Sequence, residues 1–132
     1  MGFKILFVGT GNTCRSPMAE AFARKLGMRA ESAGTMPGSR VTPAAVQAMQ
    51  EKGIDIGYHR PKRLEFKQLP DYDRVVVIGD GVVENMPGLA GHENWNLRDI
   101  IGQPLGSYRE VRDRIEERVH QLVDELNEWQ RV

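Results

Sequence analysis

A single cysteine, Cys14, among 132 residues removes whole classes of chemistry. It excludes an internal disulfide, a paired-cysteine metal knuckle and any reaction that passes through several thiols, and it fits a reducing cytoplasm. An excess of one charge is also missing. Eighteen Lys and Arg cancel eighteen Asp and Glu, so no electrostatic argument predicts nucleic acid or an anionic membrane as partner. No apolar run approaches membrane-spanning length, and the N-terminus lacks a signal peptide's basic start and cleavage site. Met1-Gly2 opens like a myristoylation signal, but Leu6 stands where Ser or Thr is needed. With no linker, repeat or low-complexity stretch, residues 1–132 are expected to form one soluble, cytoplasmic domain.

What the chain does have is an alternation of strand and helix signals from end to end. Apolar, β-branched residues predict strands over 3–8, 29–33, 74–78 and 93–97. Helices are expected over 17–26, with Ser16 as cap and Gly27 as stop, and from Pro43 to Lys52, with Thr42 as cap and Gly53 as stop. A short helix is expected over 64–69. A last helix starts at a capping box, Ser107 with Glu110, and carries the stripe Val111, Ile115, Val119, Leu122, Val123 and Leu126 to about Trp129. This order implies an α/β domain of three layers: a four-stranded parallel sheet with helices on both faces. Binding loops in such a sheet sit beyond the carboxyl ends of the strands, where the segments after Val8 and after Leu97 emerge.

The first of those segments reads Gly9-Thr10-Gly11-Asn12-Thr13-Cys14-Arg15-Ser16. A strand feeding a helix N-terminus through small residues converges backbone N–H groups with the positive end of the helix dipole, and Arg15 adds a forked cation suited to a tetrahedral oxyanion. Two other readings exist for the same residues. The segment could be an ordinary strand-to-helix turn. Alternatively, Gly9-x-Gly11 after a first strand, with Glu31 near the end of the second, imitates a dinucleotide fingerprint, although Cys14 occupies the third glycine's place.

The segment resembles the phosphate loop of the low-molecular-weight protein tyrosine phosphatases, a family that includes thioredoxin-coupled arsenate reductases and protein-arginine phosphatases. The resemblance extends along almost the whole chain: Ser32-Ala33-Gly34-Thr35, Gly53-Ile54-Asp55-Ile56 with His59-Arg60, Trp95-Asn96-Leu97-Arg98-Asp99, and the tail from Ser107 to Glu117. The family pattern is Cys, five residues, Arg, Ser, and counting back from Arg15 places Gly9 at the nucleophile's position. Cys14 falls where the family often has a second, noncatalytic cysteine; on its own residue type it reads as a small half-buried hydrophobe.

By resemblance, the oxyanion would lie against Thr10, Gly11, Asn12, Thr13, Cys14, Arg15 and Ser16, and Asp99 would be the general acid, with Ile100 replacing the proline that usually follows it. Asn12, Ser16, Ser32 and His59 would support the loop. Taken alone, Asp99 reads as a turn or cap and His59 as a surface histidine. Thr13 matches the arginine phosphatases, and Ile100, Ile101 and Gly102 stand where the tyrosine enzymes place aromatic residues. The stretch from Ile78 to Gly88 resembles the one that holds the resolving cysteines of arsenate reductases, and it contains none.

The family reaction is in-line attack of a thiolate on phosphorus, followed by hydrolysis of a phosphocysteine. Glycine offers no nucleophile, a loss on the order of 10⁶ in kcat in a well-studied hydrolase. The expected ligand is phosphate, sulfate, arsenate or a phosphorylated protein, with no cofactor and no metal, and the chain as written is expected to be inactive. It is then either a pseudo-phosphatase or a phosphatase whose cysteine was exchanged for Gly9 to trap a ligand. The remaining reading is a non-catalytic scaffold or regulatory module.

Overall fold

The computed structural model describes residues 3–79 and 81–130, so the opening Met1-Gly2 and Asp80 of the 78–88 stretch lie outside it. Its elements follow the expected alternation: β1 (Lys4–Gly9), α1 (Arg15–Lys25), β2 (Arg29–Gly34), α2 (Pro43–Gln50), β3 (Arg74–Gly79), α3 (Val82–Asn85), β4 (Glu93–Leu97) and α4 (Leu105–Gln130). Two 3₁₀ turns, Phe66–Asp71 and Pro87–Leu89, complete the chain. The strands form one sheet in the order β2-β1-β3-β4, every pair parallel.

Side-chain alternation along the strands divides the apolar residues into two layers. Ile5, Phe7, Val76, Ile78, Trp95 and Leu97 face α1, α2 and α4, whereas Leu6, Val8, Ala33, Val75 and Val77 face Leu64, Val82 and Leu89. Helices therefore cover both faces, but unequally: three long ones on one side, and α3 with the 3₁₀ turns on the other. On α4 the stripe Val111, Ile115, Val119, Leu122 and Leu126 is buried, each residue contributing roughly 1.5–3 kcal/mol by leaving water.

Several boundaries differ from the sequence expectation. Helix α1 begins at Arg15 with Cys14 at its cap position, so Ser16 lies inside the first turn and is not the cap. Helix α4 begins at Leu105: the Pro104 carbonyl accepts from the Ser107 N–H at 2.9 Å, which puts Ser107 inside the first turn rather than at the head of a capping box. Helix α2 starts after Thr42 as expected, yet the Thr42 hydroxyl is buried and makes no capping bond. The expected helix over 64–69 is the 3₁₀ turn Phe66–Asp71, interrupted by Pro70, and α3 was not foreseen.

Candidate functional site

The C-terminal end of β1 opens into a cavity of about 210 Å³ lined by residues 9–16 together with Asp99 and Ile101. Gly9 lies at its buried end, while Asp99 and Ile101 form an exposed rim. The loop owes its shape to the segment that follows β2. The N–H groups of Thr35, Met36, Gly38 and Thr42 donate to the carbonyls of Gly9, Thr10, Gly11 and Thr13 at 2.8–3.1 Å. With those carbonyls turned toward this strap, the trans peptides aim the N–H groups of the next residues to the opposite side of the loop. Among the described residues, no backbone carbonyl or side chain accepts from the N–H groups of Gly11, Asn12, Thr13 or Cys14. The first turn of α1 adds the orphan donors of a helix N-terminus.

Arg15 is buried, and its Nη1 donates to the Leu97 carbonyl at 2.6 Å. No acidic side chain pairs with it among the described residues, so its charge is held in place but not neutralised. The carbonyl it uses sits in a crowded spot. Gly79 has φ +150, and a β-carbon there would come within 1.9 Å of the Leu97 oxygen. Only glycine lets β3 and β4 approach closely enough to present that oxygen to Arg15.

Behind the loop, Asn12 has a left-handed backbone (φ 57), and its side chain is fully engaged. Its Nδ2 donates to Ser16 Oγ and to Ser32 Oγ, both at 2.9 Å, while its Oδ1 accepts from the Lys62 N–H at 3.1 Å. His59 Nε2 lies 3.0 Å from the same Oδ1, so that nitrogen carries the proton and donates. Burial holds the His59 pKa below its ordinary value, against the opposing pull of Glu20. Asn12, Ser16, Ser32 and His59 therefore form one hydrogen-bonded cluster. Sequence reasoning missed Glu20. It is buried, accepts from Ser32 Oγ at 2.8 Å and lies 3.8 Å from His59 Nδ1. Its signal was its position one helical turn after Ser16, on the same face.

Asp99 is exposed, and its Oδ1 accepts from the Ile101 N–H at 2.9 Å, a turn that shapes its own loop. Ile100 is fully buried in the core; at the proline's position it anchors the loop by packing instead of by ring closure. Cys14 is buried, and burial pushes its thiol up to about 12 against the opposing influence of Arg15. It is neutral at physiological pH. Glu31 accepts from the Tyr72 hydroxyl at 2.7 Å and pairs with Lys4, so the acidic residue of the dinucleotide alternative is already engaged within the fold. A larger cleft of about 430 Å³ lies near Phe3, Arg74 and Trp129. Its arginine is paired with Glu93 and Glu125, so the cleft offers no free donor comparable to Arg15. Among the described residues, no group of three His, Cys, Asp or Glu could hold a metal ion, and no helix is long and apolar enough to cross a membrane.

A four-stranded parallel sheet whose first strand runs through a short loop into a helix, with helices on both faces, is an architecture shared with α/β phosphatases. Residues 4–132 match the family model described as low molecular weight phosphotyrosine protein phosphatase, and the chain belongs to that family. It is 39% identical to a glutaredoxin arsenate reductase from Synechocystis, over 94% of this chain and 98% of that protein. The arginine phosphatase of Geobacillus stearothermophilus superposes with a TM-score of 0.83 at 31% identity, covering 97% of this chain and 95% of that one. An arsenate reductase in a phosphate-binding state gives 0.82 at 38% identity, with 96% and 99% covered.

Proposed function

We propose that this chain binds phosphate-type oxyanions, free or carried on a phosphorylated protein side chain, in the cavity between Gly9 and Arg15, and that it does not turn them over. The observation that carries this reading is the division of the loop's backbone: the carbonyls of Gly9, Thr10, Gly11 and Thr13 are tied to the 35–42 strap, while among the described residues nothing accepts from the N–H groups of Gly11, Asn12, Thr13 and Cys14 and no acidic side chain pairs with the buried Arg15. Such a set of fixed donors suits a dianion whose charge is spread over several oxygens. Relatives named for arsenate reduction and arginine dephosphorylation support the same ligand chemistry.

Catalysis by the family route lacks its first atom. Gly9 supplies no sulfur, and Cys14, buried and five residues further along the loop, is too weakly acidic to replace it. Arsenate reduction through successive thiols has no second cysteine to use. A lone cysteine and no membrane-spanning helix among the described residues fit a protein working in a reducing cytoplasm. Calorimetric titration with phosphate tests the reading. The chain should bind, and Arg15→Ala should lose at least roughly tenfold in affinity; absence of binding in both would remove the site. Stabilisation by a nicotinamide dinucleotide instead would favour the other phosphate-loop reading.

A further inference from the structure

We propose that the pocket between the end of β4 and the first turns of α4 is a carboxylate subsite, taking an acidic side chain that lies close in sequence to the phosphorylated residue of a partner protein. The inference rests on the oxyanion site proposed above and names the partner's chemistry next to it.

The pocket, about 220 Å³, is bordered by Leu97 and Arg98 at the exit of β4 and by Glu110, Val111 and Arg114 on α4. A bulge in β4 opens it. Val77 pairs with Asn94 but Gly79 pairs with Leu97, so β4 has one more residue than β3 over the same stretch. Asn96 takes up the extra length with a left-handed backbone (φ 55), and its N–H donates to Asn94 Oδ1 at 2.8 Å. Beyond this bend the Leu97 carbonyl meets Arg15, while Arg98 borders the space toward α4.

Helix α4 carries Arg109, Arg112, Arg114 and Arg118, and all but one are engaged. Arg109 and Arg112 pair with Glu51, and Arg118 lies 5.3 Å from the centroid of the Trp95 ring. Arg114 makes no ion pair or hydrogen bond with any described residue, and neither does Arg98, although both are exposed and border the same space. A guanidinium presents a fork of N–H donors that a carboxylate matches with both oxygens, and an anion between two of them relieves their mutual repulsion. Glu110 borders the pocket too, and among the described residues it pairs with neither arginine. One net positive charge remains, which suits a single carboxylate better than a doubly charged phosphoryl group.

The place of the pocket beside the oxyanion cavity identifies the carrier of that carboxylate. Leu97 borders the pocket while its carbonyl holds Arg15, and Asp99, the residue after Arg98, borders the 9–16 cavity. Segment 97–99 is thus the wall between the two spaces. A chain whose phosphoryl group enters one can reach the other within about three residues, each extending at most ~3.6 Å.

Calorimetric titration with short phosphotyrosine peptides tests the proposal. Each carries one Glu at a different place within three residues of the phosphotyrosine, and its matched peptide carries Gln there. At one or two places Glu should bind at least ~3-fold tighter than Gln. Arg98→Gln combined with Arg114→Gln should abolish that advantage and leave the affinity for inorganic phosphate unchanged. Glu110→Gln, which removes the competing carboxylate, should enlarge it. Should the double variant fail to fold, Glu110→Gln and the peptide series on the unaltered chain decide. No advantage for Glu at any place overturns the inference and leaves the oxyanion site standing. An advantage that survives the double change, or that Glu110→Gln does not enlarge, also overturns it. Saturable binding of free acetate that is lost in the double variant, with no Glu advantage in any peptide, overturns it in favour of a diffusible carboxylate. If the unaltered chain binds no inorganic phosphate, the Arg15 site falls and this reading falls with it.

Discussion

Gly9 and Gly79 are glycines for opposite reasons. At Gly79 a β-carbon would run into the Leu97 carbonyl, whereas at Gly9 it would meet only the Ser16 side chain, at 3.0 Å from Oγ, which must shift by a few tenths of an ångström. Gly9→Cys is therefore expected to fold and to gain phosphatase turnover, because the donors that stabilise the transition state are already encoded by the loop and Arg15. Adding Asp99→Asn should lower that turnover by roughly 10²–10⁴ on an aryl phosphate or phosphoarginine. Phosphate binding by Gly9→Cys without turnover or a trapped phosphoenzyme would mark a chain that has drifted beyond repair, and a silent Asp99 change would remove that residue as the acid. The same substitution should weaken inorganic phosphate binding wherever the new thiol is ionised, since like charges about 4 Å apart repel by on the order of 4 kcal/mol at a dielectric constant near 20. Cys14 should behave oppositely. With its thiol pushed up to about 12, alkylation at pH 8 should be negligible until denaturant exposes it.

At the scale of elements, the 9–16 loop is held from two sides, by the backbone of the 35–42 strap and by the side-chain cluster of Asn12, Ser16, Ser32, His59 and Glu20. His59 makes that cluster sensitive to acid. Its folded pKa lies below the ordinary 6.5, so the unfolded chain binds the extra proton first. Its contribution to stability is therefore complete above about pH 6.5 and is lost as pH falls from there through the folded value. Unfolding midpoints in urea should decline over that window, and His59→Gln should flatten the decline; an identical profile would assign it to other groups. Glu20→Ala should cost about 1–3 kcal/mol by leaving the Ser32 hydroxyl without its acceptor. Strands and the long helices were legible in the sequence because apolar periodicity reports burial directly, as in Val75–Ile78 and the α4 stripe. The ends of α1 and α4 were not. Ser16 and Ser107 both have the residue type of a cap, but Ser16 faces Asn12 and Ser107 follows a helix already begun. Glu20 escaped because a charged helical residue is ordinarily solvated, and only its hydrogen bond across to β2 explains its burial.

Over the whole molecule, sheet topology joins two loops that are more than eighty residues apart in sequence. Because β3 lies between β1 and β4, the 9–16 loop and the Asp99 loop leave the same sheet end on either side of it. The link between them runs from Gly79 to Leu97 to Arg15. The family motif placed Arg15 and Asp99 in the sequence, but this link depends on a carbonyl and on an absent side chain, neither of which has a residue signature. Gly79→Ala isolates it. The added methyl group must displace the end of β4, withdrawing the Leu97 carbonyl from Arg15, so the guanidinium loses its fixed orientation along with the Asp99 loop. The control is Gly53→Ala, another positive-φ glycine (φ +74) whose β-carbon would meet nothing within 4 Å. Both variants carry backbone strain costing roughly 1 kcal/mol or more. Only Gly79→Ala should also weaken phosphate binding by at least ~10-fold at a temperature where both remain folded. Equal affinities in the two would mean that Arg15 finds its place without Leu97, and that the strap and the first turn of α1 alone define the site.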